Sequence, residues 1–216
     1  MIRSEKLIKA SNFGVNVALL IVLIFISASP DGYIRRTLAE RRAAADFKKS
    51  IAELWGEVTA GASSEAPVIV EFVDYQCNFC RIMQDTLREP EEQGRVTIVR
   101  LNYPIRPIHP RAEAAARAAI CAEAQGRFSA MHKYLFSTDE WYEADTGWEN
   151  AIAASGIEDP VRFVECLYND STTRRLARDS SIAARWGVTG TPTYVSLGGM
   201  RRGVTNVEEL LEITRD

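Results

Sequence analysis

The chain has 216 residues and a formal net charge of −3, with 46% hydrophobic and 25% charged residues. That length suits one domain or two with a full core, and the slightly acidic balance gives no footprint for nucleic acid. Four cysteines allow two pairs, and pairs persist only in an oxidising compartment.

The start, Met1 to Lys9, is mildly basic and runs into apolar residues from Phe13 to Ala28, of which Val17 to Ile26 is free of Gly, Asn and Ser. Such a run suits a signal-peptide core and falls short of an ordinary membrane span. Ser27-Ala28-Ser29 offers a small-residue cleavage site, but Pro30 follows directly. Residues 1–29 are read as a signal anchor, with a removed signal peptide as the alternative. Arg35, Arg36, Arg41 and Arg42 pull against an envelope-facing orientation, because basic residues favour the cytoplasmic side. Over 33–58 the apolar residues Ile34, Leu38, Phe47, Ile51, Leu54, Trp55 and Val58 recur at three- and four-residue steps, which predicts a helix. It reads as a spacer within 30–62; a self-associating helix over 34–58 is the alternative, although no heptad is sustained. The small, polar stretch from Thr59 to Ser64 reads as a linker.

The stretch from Val68 to Cys80 organises the rest. Val68 to Val73 is short, β-branched and preceded by the breaker Pro67, so it reads as a buried strand. Asp74-Tyr75-Gln76 ends it, and a helical pattern carrying Met83 and Leu87 begins at or near Cys77. Cys77 therefore falls at a helix N-terminus, with Cys80 one turn on and on the same face. Unpaired amides and the helix dipole favour a thiolate at Cys77. A second thiol three residues on can resolve a mixed disulfide, which completes the machinery of thiol–disulfide exchange. The bland readings are half of a four-cysteine zinc site or two unreactive core cysteines, but zinc needs about four ligands. Cys121 and Cys166 stand apart, and His109 and His132 are 23 positions apart. No metal site is predicted, and both histidines read as structural.

Arg95 to Leu101 reads as a second buried strand after Gly94. Asn102 to Pro110 holds three prolines and can continue as neither strand nor helix. Helical patterns follow at 112–124, 128–136, 148–155, 160–168 and 172–186. The chain returns to strand at 192–197, turns at Gly198-Gly199, and continues as a short strand at 200–204. A helix over 207–214 closes the chain, with Asn206 as N-cap. An all-helical block between strands suggests an insertion.

With Cys77-Asn-Phe-Cys80 after a strand and Gly187-Val-Thr-Gly-Thr-Pro192 before one, the chain from about Ala66 to Asp216 resembles the DsbA family of thiol–disulfide oxidoreductases. Further matching stretches are Glu71-Phe72 with Asp74-Tyr75-Gln76, the Ala-rich helix running into Gln125-Gly126-Arg127-Phe128, and His132 with Leu135-Phe136. The resemblance implies an α/β fold, a thioredoxin fold with an inserted all-helical domain, preceded by the N-terminal segment and helix. Its parts would be 63–105 and 187–216, with the insertion at 106–186. It implies that Cys77 is the nucleophile, Cys80 the buried resolving thiol, and Pro192 a cis-proline whose neighbour Thr191 presents backbone to a bound peptide. It further implies that Glu71 is a buried acid beneath the pair, where the bland reading is a solvent-facing strand charge. Asn78 and Phe79, between the cysteines, would touch substrate. Cys121 and Cys166 would close a second disulfide within the helical domain; two buried free thiols is the alternative.

The implied cycle needs no cofactor. Substrates would be cysteine-containing proteins of the cell envelope, with a membrane or soluble redox partner. Two departures from the family's strong oxidants push towards a milder couple: Asn78-Phe79 supplies no cation to the Cys77 thiolate, and threonine precedes Pro192. An isomerase or reductase is the nearest rival. From other classes, a Cu(I) binder using Cys77 and Cys80 and a tethered holdase without redox activity are the alternatives.

Overall fold

The computed structural model describes residues 17, 19–24, 33–62, 65–143 and 147–215. The chain divides into two compact units, Met1–Lys49 and Ser50–Asp216. In the first, residues 19–24 are helical and exposed, and Arg36 pairs with Glu40 at 3.1 Å within helix α1 (Tyr33–Val58). The anchor expected over 1–29 otherwise lies outside the described residues. Among those described, no helix is long and apolar enough to cross a membrane.

The second unit runs from the end of α1 through β1 (Val68–Val73), α2 (Asn78–Glu92), β2 (Thr97–Asn102), α3 (Ala112–Glu123), α4 (Phe128–Ser137), α5 (Glu140–Glu143) and α6 (Glu149–Ser155). It continues through α7 (Pro160–Leu167), α8 (Asp170–Arg185), β3 (Thr193–Ser196), β4 (Gly199–Arg202) and α9 (Val207–Glu212). The strands form one sheet in the order β2-β1-β3-β4, with β1 and β2 parallel and the other pairs antiparallel. A parallel pair needs a crossover connection, and α2 supplies it.

β1 is buried from Ile69 to Val73 because helices cover both sheet faces. On one face Ile69 and Tyr194 pack with Met83 and Leu87 of α2 and with Leu210 and Ile213 at the chain's end. The other is sealed at Phe72 by Trp186, which meets it edge-on at 5.9 Å. Trp186 also stacks near Trp55 and donates its indole N–H to the Ser50 carbonyl at 3.0 Å, so the last turns of α1 are seated here. Glu53 and Glu57 add ion pairs at 3.0 Å to Arg185 and Arg178. The helices between β2 and β3 pack round small side chains, Ala115, Ala118, Ala119 and Ala122, with Met131, Leu135 and Phe163. The alanines let helices approach closely, which is why that segment is so rich in Ala.

Several boundaries depart from expectation by a few residues, and two of them have a visible cause. β2 begins at Thr97 because the Arg95 amide is held by the Pro90 carbonyl of α2, at 2.9 Å. The hairpin turn is Leu197-Gly198, and Gly199 already pairs with Ser196. Gly198 is required by close approach: a Cβ there would lie 2.6 Å from the Ile213 carbonyl oxygen and closer still to that of Arg215.

Trp186 is fully buried and joins the sheet to α1. Trp186→Ala should lower unfolding stability by about 3–5 kcal/mol, measured by urea denaturation. A loss under about 1 kcal/mol would show that the indole is not what seats the α1 segment.

Candidate active site

Cys77 occupies the N-cap of α2 with extended backbone (φ −79°, ψ 114°). The turn before it is built by Asp74, which is buried. Its carboxylate accepts from the amides of Gln76 (2.8 Å) and Ile105 (2.7 Å) and meets His109 Nδ1 at 2.8 Å. Its backbone carbonyl accepts from the Cys77 amide at 3.1 Å. Asp74 thus ties the cysteine turn to the proline-rich loop after β2, and His109 is part of that tie.

The Thr191–Pro192 peptide is cis. It brings residues 114 positions distant against the first cysteine: the Cys77 thiol donates to the Thr191 carbonyl at 3.4 Å. Cys77 is 7% exposed and Cys80 fully buried, and both are free thiols. Their ionisations are driven apart. The Cys77 thiol is lowered to about 5, first by hydrogen bonding from Cys80, against the opposing effect of burial, and then by the Thr191 side chain and the amides of Cys80 and Phe79. Burial, the bond to Cys77 and the charge of Glu71 push Cys80 far up. Phe79 is exposed, and Asn78 opens the helix beside it.

Glu71 lies wholly buried beneath Cys80, not on the solvent side of its strand. Arg100, its cross-strand partner in register, donates Nε to one carboxylate oxygen at 3.0 Å. Tyr194 Oη and Gln84 Nε2 donate to the other, at 3.2 and 3.1 Å. Burial nonetheless raises its pKa, outweighing the Arg100 charge. Arg100 turns its other nitrogens to Glu91, at 2.5 and 2.9 Å. His132 is buried and held neutral, its pKa well below the usual value through burial and the Arg100 charge. Since its Nε2 meets the Gln84 carbonyl oxygen at 2.5 Å, Nε2 carries the proton, and Nδ1 accepts from Tyr75 Oη at 3.0 Å. A continuous chain therefore runs Tyr75–His132–Gln84–Glu71.

Sequence reading missed Gln84, Arg100 and Tyr194 and passed over the polar role of His132. One signal was available: an arginine inside the apolar run Val96 to Leu101 needs a buried partner. Cys121 and Cys166 are joined, S–S 2.07 Å, on α3 and α7. No cluster of metal-ligating side chains occurs among the described residues.

A family model described as thioredoxin matches residues 55–213. In structure the chain is similar to a thioredoxin-like oxidoreductase from Silicibacter pomeroyi, at 25% identity and TM-score 0.60, covering 68% of this chain and 83% of that one. It is also similar to the thiol-disulfide exchange protein alpha-DsbA2 from Wolbachia pipientis, at 18% identity and TM-score 0.65, covering 79% and 96%. In sequence it matches a Na(+)/H(+) antiporter, NhaA 3, of Salinispora tropica, at 35% identity over 150 residues, 68% of this chain but only 22% of the antiporter. The resemblance to DsbA-like proteins is borne out in the fold.

Two measurements check the electrostatics. In the dithiol form, thiolate absorbance should titrate with a midpoint near 5 and vanish in Cys77→Ser. Because the folded pKa lies below the ordinary value of 9.0, Cys77 stabilises the dithiol form fully above about pH 9 and loses that contribution as pH falls through about 5. Arg100→Met should cost about 3–5 kcal/mol at pH 8 by leaving Glu71 charged and buried. The cost should shrink on acidification, because a protonated Glu71 needs no partner; a pH-independent cost would contradict a charged Glu71.

Proposed function

We propose that this chain, which belongs to the thioredoxin family, is a thiol–disulfide oxidoreductase acting on cysteine-containing proteins through Cys77 and Cys80. The observation that carries this reading is the opposed behaviour of the two thiols: Cys77 lowered to about 5 at a helix N-terminus beside Thr191-Pro192, and Cys80 buried and raised. A thiolate is the attacking and the leaving species in exchange, so Cys77 is the sulfur that meets substrate.

In the oxidising direction a substrate thiolate attacks Sγ of Cys77. The Cys77–Cys80 bond breaks, a mixed disulfide forms, and Cys80 departs with the electron pair. Its high pKa makes it take up the proton that the substrate thiol gave up, and the Glu71 carboxylate beneath it is placed to relay that proton. A second substrate thiolate then attacks the substrate sulfur of the mixed disulfide and expels Cys77 as a stable thiolate. The substrate has lost two electrons and the enzyme has gained them. The reverse sequence reduces a substrate disulfide. Pro192 and Thr191 line the approach to Cys77, and Phe79, exposed between the cysteines, offers an apolar contact to a bound chain.

The second pair supports the reading of the compartment. A disulfide between Cys121 and Cys166 persists in an oxidising environment, so the proposed site of action is the cell envelope, with the helices of 106–186 as an insertion into the thioredoxin fold. Tethering through residues 1–29, association through helix 34–58 and a redox partner belong to the same proposal. The antiporter relatives match over only 22% to 30% of their own length, so transport is not carried over.

A thiol pKa of about 5 lies between ~7 for thioredoxin and ~3.5 for DsbA. The expected reduction potential accordingly lies between ~−270 and ~−120 mV, near −200 mV. Equilibration of the full-length protein in glutathione buffers measures it. Cys77→Ser should abolish exchange with glutathione and with insulin, whereas Cys80→Ser should accumulate mixed disulfides on Cys77. Unchanged turnover in Cys77→Ser would overturn the assignment.

A further inference from the structure

β2 is an edge of the sheet. In a parallel pair, alternate residues turn their backbone polar groups to the partner and the others turn them away. The Thr97 amide donates to the Pro67 carbonyl at 2.9 Å and the Tyr103 amide to Val73 at 2.8 Å. Odd-numbered residues of β2 therefore face β1, and Ile98, Arg100 and Asn102 face outward. Asp179 takes the Asn102 amide at 3.0 Å. The amides of Ile98 and Arg100 have no partner among the described residues.

A cavity of about 550 Å³ lies along this edge, with Ile98, Arg100, Asn102, Ile120 and Phe128 in its wall. Asn102 is only 5% exposed, and its side-chain oxygen is buried without a hydrogen-bond partner among the described residues. Its Nδ2 donates to the Asp179 carboxylate at 3.4 Å, so the oxygen cannot be exchanged into that place. A buried acceptor left open in this way needs an explanation.

We infer that the outer edge of β2 binds an extended polypeptide segment of a partner protein, which adds to the sheet as a further strand. The unfilled groups are neutral and alternate between donors and acceptors at residues two apart, roughly 6.6 Å, the repeat of an extended main chain. An anionic ligand fits less well, because the arginines here are already engaged: Arg100 with Glu71 and Glu91, Arg175 with Glu123 and Asp179, and Arg178 with Glu57. The segment's carbonyls accept from the amides of Ile98 and Arg100, and one of its amides donates to Asn102 Oδ1. Recognition is through main chain, so it tolerates many sequences, with Ile120 and Phe128 favouring apolar side chains. The site does not depend on the cysteine chemistry.

The test uses the full-length, ¹⁵N-labelled protein and reduced, carboxymethylated α-lactalbumin, an unfolded chain whose blocked cysteines cannot form mixed disulfides. At saturation the amides of Ile98 and Arg100 should exchange about tenfold more slowly, while those of Val99 and Leu101, already bonded to β1, stay unchanged. Ile98→Pro removes an outward amide at an edge position where proline is tolerated, together with a side chain that packs against the core of Met83 and Leu87. It should weaken binding about tenfold and leave glutathione exchange intact, and Ile98→Val should bind like the parent. Absence of binding, unslowed exchange at Ile98 and Arg100, or full-strength binding by Ile98→Pro would each overturn the inference. Should Ile98→Pro not fold, the exchange measurement on the parent decides alone.

Discussion

Glu71 and Arg100 face each other across the parallel pair of β1 and β2, 3.0 Å apart, with side chains 0% and 9% exposed. Two charges taken out of water cost more than their mutual attraction returns unless further hydrogen bonds complete the geometry. Here Gln84, Tyr194 and Glu91 complete it. The pair also makes register costly to change, because a slip of one residue would send Arg100 to the opposite face and leave Glu71 alone in the core. Much of the polar interior is arranged around this constraint. Gln84 orients His132, and His132 fixes Tyr75 just before the cysteines.

The same constraint divides the labour between the two sulfurs. They are separated by one helical turn, yet one is stabilised as a thiolate and the other penalised. Cys77 stands where the first amides of α2 are unfilled and where Thr191 reaches it. Cys80 is turned inward over a carboxylate. Burial acts on both in the same direction, and only at Cys77 do hydrogen bonds overcome it. A sulfur held as a thiolate and a sulfur held as a thiol, one helical turn apart, follow from that asymmetry.

β2 has two unlike sides. Its odd-numbered residues complete the ladder with β1, whereas its even-numbered residues supply Arg100 to the buried pair and leave backbone groups along the outer edge. Edge strands are usually blunted or covered. The cover here is partial: Asp179 closes the Asn102 end, and a cavity remains along the rest.

How much of this was legible turned on range. The strand before Cys77, the helix after it and most later helices could be read because their signals are local: apolar period, Pro67, and the cap at Asn206. Gly156 (φ 64°) closes α6 for the same kind of reason, since a left-handed residue there favours glycine. The four-residue α5 is too short to show a period. The DsbA-like motifs placed Cys77, Cys80, Glu71 and Thr191-Pro192 as a set. By itself the sequence determined the order of elements and the chemistry of the CxxC turn, since both depend on residues a few positions apart. Only the tertiary structure decided that Arg100, Gln84 and Tyr194 converge on Glu71, that Thr191 touches Cys77, and that β2 has an open edge. Those contacts join residues far apart in the chain, and they exist only once sheet register and helix packing have brought them within hydrogen-bond distance.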